Sequence, residues 1–224
     1  MHKVIVFAGP STYGLDDKYM ESDQFDWRPP VRRGDVACLI KDRAASTLII
    51  CDGVFQAEPA VSHREICDAL DAGWQVWGVS SLGAIRAAEM SHLGMRGYGY
   101  VYEQFANDPD FCDDEACLLY FPERPYFPVT EPLVNVRYAL DTFGPSFGLT
   151  RAQATRTISM LRALWFGDRT PGQIESVLKE VGGPSSDVTG FMAELRKRQR
   201  KQLDLEELLT ASPWKQIRSD AGHY

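Results

Sequence analysis

Short runs of almost only apolar residues in the first half of the chain constrain its fold more than any other feature. They cover residues 4–7, 47–51 and 74–79, and each is followed by small or polar residues. Runs that are apolar at nearly every position are typical of strands buried on both faces, as in a parallel sheet. Amphipathic stretches that follow the second and third runs have the length of crossover helices. The sequence therefore predicts an α/β fold that begins with a parallel sheet and crossover helices.

The second half of the chain predicts a mostly helical C-terminal part. Three threonines are positioned as helix caps before amphipathic segments: Thr130, Thr150 and Thr170. Another amphipathic stretch covers about residues 187–209. We therefore expect an α/β core over residues 1–125 and a helical region over residues 126–224, with the boundary near residues 125–129.

Two prolines and one further apolar run add detail to this prediction. Pro59 and Pro132 are expected in the first turns of two helices. Proline is tolerated there because the N–H groups of the first turn have no acceptor within the helix. Residues 117–121 are expected to form one more strand.

Composition and charge narrow the class of protein. The 224 residues contain no apolar run of the ~18 to 20 residues that a membrane span requires, and the N-terminal run is too short for a signal peptide. The formal net charge of −7 argues against a nucleic-acid-binding protein. Five cysteines without a CxxC pair indicate reduced thiols and a cytoplasmic location. The basic run over residues 196–201 is either a solvated helix face or a docking surface for an acidic partner.

Candidate functional residues follow the predicted strands. Ser11 follows the first strand, Asp52 the second, and Ser80 and Ser81 the third. Ligands of parallel sheets bind beyond the carboxyl ends of the strands. These side chains are therefore expected to line one crevice.

Ser81 is the candidate nucleophile. It lies between a strand and a helix in the sequence VSSLG, the context of the nucleophile elbow of hydrolases, although Val79 replaces the first glycine of that pattern. Backbone N–H groups at the start of the helix can stabilise an oxyanion. The alternative is that Ser80 or Ser81 serves only as a helix cap.

Charged residues on two predicted helices are candidates for supporting roles. Histidine is the side-chain type whose ordinary pKa lies near neutrality, so His63 is the candidate base, with a solvated surface histidine as the alternative. Arg64 can bind an anion or orient a carboxylate but cannot accept a proton. Glu65 follows these two residues, and Arg86 lies within reach of Glu89 on the next helix.

An acidic cluster offers a different kind of site. Its members are Asp108, Asp110, Asp113, Asp114 and Glu115. They either hold a hard cation or form a solvated loop, and they fit no EF-hand pattern. The chain has no Walker A loop. We expect no bound metal and no cofactor.

Seven motifs, taken in order, resemble the TfuA-like family. They are FAGPS at residues 7–11, DGVF at 52–55, AVSHREI at 60–66, SSLGAIRAAE at 80–89, GMxG at 94–97, DDE at 113–115 and VNxR at 134–137. The ordered set is specific, and it covers roughly residues 3–140.

The resemblance implies a role in peptide-backbone thioamidation. TfuA-like proteins are partners of YcaO enzymes, which activate a backbone amide with ATP so that sulfur can replace its oxygen. The implied activity is hydrolysis of a thiocarboxylated, ubiquitin-like carrier of the ThiS type by a Ser–Lys pair. Ser81 corresponds to the family serine, whereas Arg64 occupies the lysine position of the family's HKEI motif. The implied partners are a YcaO-type enzyme, a ThiS-like carrier and the peptide that is modified.

The sequence leaves three functions open. The strand–Ser81–helix context favours an accessory hydrolase that also docks its partner. Arg64 favours a non-catalytic adaptor that binds YcaO and its peptide substrate, because arginine cannot serve as a general base. A metal-dependent hydrolase that uses residues 113–115 is the third.

Overall fold

The computed structural model describes residues 3–54 and 58–216, so Phe55 of the DGVF motif lies outside the described residues. The chain forms two compact units, one of residues up to 110 together with residues from 201 onward, and one of residues 111–200. Residues 201–216 thus belong to the first unit.

A five-stranded parallel sheet is the framework of the first unit. Its strands are β1 (Val4–Phe7), β2 (Phe25–Arg28), β3 (Thr47–Ile50), β4 (Gln75–Val79) and β5 (Arg96–Tyr98). Their order is β2-β1-β3-β4-β5, and every neighbouring pair is parallel. This is the order of flavodoxin-like sheets, in which the winding reverses between β1 and β3. The predicted α/β fold with an N-terminal parallel sheet is confirmed.

Helices cover both faces of this sheet. They are α1 (Asp17–Met20), α2 (Asp35–Asp42), α3 (His63–Asp71), α4 (Leu82–Met90), α5 (Tyr100–Asn107) and, from the end of the chain, α10 (Arg200–Ala211). Residues of α2, α3 and α4 share one apolar core with the sheet, and residues of α10 share the other. Successive strand residues belong to the two cores alternately, which explains why the strands are apolar throughout.

The second unit is helical, as predicted for the C-terminal part. Its helices are α6 (Leu133–Thr142), α7 (Arg151–Arg162), α8 (Pro171–Val181) and α9 (Val188–Lys197), which enclose one apolar core. Thr150 and Thr170 cap α7 and α8. In the described part of the chain, no helix has the length and apolar character to cross a membrane.

Two predicted helix starts and one predicted strand are wrong. Helix α3 begins after Pro59, because Ser62 and Glu65 form a capping box in front of His63. Helix α6 has Pro132 as its N-cap, before its first turn. Residues 117–121 form no strand but a single bridge, between Tyr120 and Pro128.

Helix α4 lies very close to the sheet. A Cβ atom on Gly83 would lie 1.7 Å from the carbonyl oxygen of Ile50, so only glycine allows this approach. The N–H of Gly83 donates to the carbonyl of Cys51 over 3.2 Å. The turn that precedes α4, with Ser81, is thereby held against the end of β3.

Candidate functional site

Asp52 lies where the winding of the sheet reverses, just after β3 and beside the end of β1. Its Oδ2 accepts the N–H groups of Gly9 (2.8 Å) and Ser11 (3.0 Å), and its Oδ1 accepts the Ser11 hydroxyl (2.8 Å). Both carboxylate oxygens are therefore fixed by the loop after β1. Ser11 and Asp52, both candidates from the sequence, are thus in direct contact.

Lys201, in the first turn of α10, is the site residue that the sequence did not single out. Its Nζ lies 4.0 Å from Oδ1 of Asp52, and the two side chains are only 4% and 3% exposed. Its carbonyl accepts the Ser80 hydroxyl over 2.7 Å, a contact between residues 121 positions apart. A buried ammonium and a buried carboxylate each offset the desolvation cost of the other. In the sequence, Lys201 was notable only as part of the basic run over residues 196–201.

Ser80 forms a strained turn between β4 and α4. Its φ is +66°, and the N–H of Ser81 donates to the carbonyl of Val79 over 2.7 Å. A positive φ with this hydrogen bond is the strained form of the γ-turn, which non-glycine residues rarely adopt. The turn with Ser80 and Ser81 does lie between a strand and a helix, and its strained residue is Ser80.

Ser81 is the N-cap residue of α4, yet its side chain makes no capping hydrogen bond to the helix. The role of a side-chain cap, left open by the sequence, is therefore not performed by its hydroxyl. Ser80 is fully buried and donates its hydroxyl to Lys201. The two serines thus have different environments, and Ser81 remains the candidate nucleophile.

Cys51 lies among these groups. Burial is the main cause that raises the pKa of its thiol well above the usual value, and the negative charge of Asp52 adds to the effect. Hydrogen bonds with Ser80 and Ser11 act in the opposite direction. The thiol is therefore neutral and unsuited to act as a nucleophile. We call the polar groups around it the switch-point cluster: Ser11, Asp52, Ser80, Ser81 and Lys201.

His63, Arg86 and Glu89 form a separate surface cluster. Oε2 of Glu89 lies 2.8 Å from Nε2 of His63 and accepts from Arg86 over 2.6 Å. These contacts join the HREI and IRAAE motifs, and Nε of Arg86 also donates to the carbonyl of Val61. The candidate base from the sequence is thus oriented by a carboxylate of α4.

The other two residues of the HRE segment have contacts of their own. Arg64 is exposed and pairs with Asp68 one turn further along α3, at 2.8 Å. Glu65 is buried; its Oε1 accepts from Ser62, and its Oε2 accepts the N–H of Gly34 over 2.7 Å. It therefore joins the starts of α2 and α3.

Two members of the acidic cluster are bound to arginines. Glu115 is fully buried and accepts two hydrogen bonds from Arg137, at 2.8 and 2.7 Å, which links the DDE and VNxR motifs. Asp114 pairs with the buried Arg169 at 2.6 Å. The interpretation of a solvated loop is therefore wrong for Glu115. Among the described residues, no three histidine, cysteine or acidic side chains are grouped to hold a metal ion.

The fold and site together define a parallel α/β protein with a serine, a lysine and an anchored carboxylate at the carboxyl edge of its sheet. The model of the TfuA-like protein family matches residues 52–170, more than half of the chain. The chain belongs to the TfuA-like family, and the predicted resemblance is confirmed. Members of this family are associated with YcaO-type thioamidation systems. A comparison with curated proteins finds no match. Lys201 lies outside the matched residues.

Proposed function

We propose that this protein hydrolyses a thiocarboxylated carrier of the ThiS type, and that it recruits a YcaO partner and its peptide substrate. The released sulfur serves the thioamidation of that peptide. The proposal is supported chiefly by the switch-point cluster, in which Lys201 and the anchored Asp52 lie beside the turn that bears Ser81. This cluster is at the position where ligands of doubly wound sheets bind.

The proposed reaction has two steps. The Ser81 oxygen attacks the carbonyl carbon of the thiocarboxylate, the C–S bond breaks, and sulfur leaves as hydrosulfide with the proton that Ser81 gave up. A carrier ester of Ser81 is left. Water then hydrolyses this ester, which restores the Ser81 hydroxyl and releases the carrier as a carboxylate and a proton. Backbone N–H groups at the start of α4 stabilise the tetrahedral anions.

Lys201 is our candidate for the group that carries the Ser81 proton to sulfur. Lysine can exchange a proton in a buried site, whereas arginine cannot, so Lys201 fills the role that Arg64 leaves open. His63 stays the alternative base, oriented by Glu89. Arg64 and Arg86 add positive charge for an anionic substrate, and Ser11, Asp52, Glu65 and Ser80 support the geometry of the site.

The test is intact-protein mass spectrometry of a thiocarboxylated ThiS-type carrier, with sulfide measured in parallel. We expect wild type to convert the carrier to the carboxylate, and Ser81→Ala and Lys201→Met to be slower by about 10³-fold or more. Ser91→Ala and Lys41→Met, at exposed positions of the same unit, are matched controls that keep the wild-type rate. A wild-type rate for Ser81→Ala would show that Ser81 is not the nucleophile.

A non-catalytic adaptor is the second candidate, and an exposed apolar surface favours it. Hydrogen bonds from Phe121 to Phe127 and from Val129 to Leu119 hold two short arms of the chain side by side. These four side chains occupy alternate positions and are 38–57% exposed. Exposed apolar groups of this kind mark interaction surfaces. Binding of YcaO in a pull-down, without conversion of the carrier, would favour the adaptor.

A further inference from the structure

Asp52 and Lys201 are two ionisable side chains in a nearly dry part of the first unit. Nζ of Lys201 and Oδ1 of Asp52 are 4.0 Å apart, and neither side chain is more than 4% exposed. At this distance and depth, a nearby carboxylate charge favours the ammonium form of the lysine. The protonation state of the lysine therefore depends on the carboxylate.

The carboxylate is held in place by other groups. The N–H groups of Gly9 and Ser11 and the Ser11 hydroxyl all donate to the oxygens of Asp52, an arrangement that suits an ionised carboxylate. Since the donors come from one tight loop after β1, Asp52 cannot turn away from Lys201 without breaking them. The loop thus fixes a negative charge beside the lysine.

The elements around this pair also bear Cys51, Ser80 and Asp204. Cys51, at the end of β3, is a neutral thiol because burial raises its pKa. Ser80, after β4, contributes only a hydroxyl. Asp204, one turn further along α10, accepts the N–H groups of Tyr100 and Val101 at 2.9 and 2.8 Å and so caps α5. Asp52 presents a carboxylate oxygen 4.0 Å from the ammonium nitrogen.

We propose that Asp52 is a positioning residue that keeps Lys201 as an ammonium and thereby sets the pH at which the site becomes active. In the proposed mechanism Lys201 must be a neutral amine to accept the Ser81 proton. The rate therefore rises with pH as Lys201 loses its proton. This effect on rate rests on the proposed function, but the effect on Lys201 itself does not.

The direction in which Asp52→Asn shifts the titration of Lys201 follows from the burial of the two side chains. Without the carboxylate charge, a buried ammonium is disfavoured, so Lys201 loses its proton at lower pH, by roughly 1–3 pH units. Ser11→Ala is not expected to lower the pH at which Lys201 titrates. It removes a competing donor from Oδ1 of Asp52, so Lys201 titrates at the wild-type pH or above it.

Carbon-13 NMR of protein labelled at the lysine Cε positions reads this titration directly. Lys201→Arg assigns the signal, and Asp68→Asn, which removes a half-buried carboxylate of the same unit, is a matched control with no effect on it. We expect Lys201 to be an ammonium at pH 7 in wild type. A neutral amine at pH 7 would overturn the proposal, as would an unchanged titration in Asp52→Asn. If Asp52→Asn does not fold, the titrations of Lys201 in wild type and in Ser11→Ala test whether Asp52 keeps Lys201 as an ammonium.

The pH dependence of carrier hydrolysis gives a second readout. The rising limb of kcat/KM is expected to follow the Lys201 titration, and to move to lower pH in Asp52→Asn. A merely structural role would lower the rate without moving the limb, and that result would overturn the proposal. If the Lys201 signal behaves as expected but wild type does not hydrolyse the carrier, the hydrolase function fails and the present inference stands.

Discussion

Ser80 and Ser81 are adjacent residues with different physical roles. Ser80 has the left-handed backbone of the turn and donates its buried hydroxyl to the carbonyl of Lys201. Its strain is compensated by a contact that joins the end of β4 to α10. Ser81 is the N-cap residue of α4 and is positioned by the approach of Gly83 to β3. The first serine therefore builds the site that the second is proposed to use.

The reactivity of individual cysteines can be predicted from their environments. Burial, followed by the charge of Asp52, raises the pKa of the Cys51 thiol, so at pH 8 this thiol is protonated as well as inaccessible. Cys38 and Cys112 are exposed. We expect iodoacetamide to label Cys38 and Cys112 in the native protein at pH 8, and Cys51 only after unfolding in urea. Peptide mass spectrometry measures this, and native labelling of Cys51 at the rate of Cys38 would contradict it.

Some residues of the candidate site were predictable and one was not. The rule that ligands bind beyond the carboxyl ends of parallel strands predicted the proximity of Ser11 and Asp52, because strand ends meet at one edge whatever the connections. Lys201 is brought to that edge by the packing of a helix from the end of the chain. Such packing leaves no local pattern, and in the sequence the lysine is one of several in a basic run.

Helices and strands differ in how clearly the sequence marks them. β1 is apolar throughout, and β3 and β4 are apolar after their first residues, because both faces of these strands are covered. β2 and β5 are short strands that contain arginine, and the same pattern does not reveal them. The stretch over residues 187–209 forms two helices, α9 and α10.

Gly83 is the residue on which the packing of α4 depends. A Cβ atom there would overlap the carbonyl of Ile50, so Gly83→Ala must push α4 away from the sheet. We expect the free energy of unfolding to fall by roughly 3 kcal/mol. Gly172→Ala, at a helical position with open space around the added Cβ, is the matched control and should leave stability unchanged or slightly higher. Urea unfolding followed by tryptophan fluorescence compares the two, and equal stabilities would refute the close approach.

The two units are not consecutive in the sequence. The first unit is built from residues up to 110 and completed by residues from 201 onward. Its sheet has an apolar face on either side, and the face with Val4, Val6, Ile49 and Trp77 shares its core with Leu205, Leu208 and Leu209 of α10. Helix α10 thus supplies both a wall of the core and Lys201. Site and stability of the first unit depend on the same helix.

Removal of α10 should therefore disrupt the first unit, although its sheet lies about a hundred residues earlier in the chain. A chain that ends at Gln199 lacks the apolar residues that cover one face of the sheet, the Lys201 partner of Asp52 and the Asp204 cap of α5. We expect it to lose the near-ultraviolet circular dichroism of the first unit's tryptophans and to be cleaved rapidly by protease within residues 3–110. A chain that ends at Gln216 keeps these contacts and is the matched control. Native circular dichroism and native protease resistance over residues 3–110 in the chain ending at Gln199 would contradict this prediction. Helix α10 would then not be part of the core of the first unit, and the assignment of Lys201 to its site would be wrong as well.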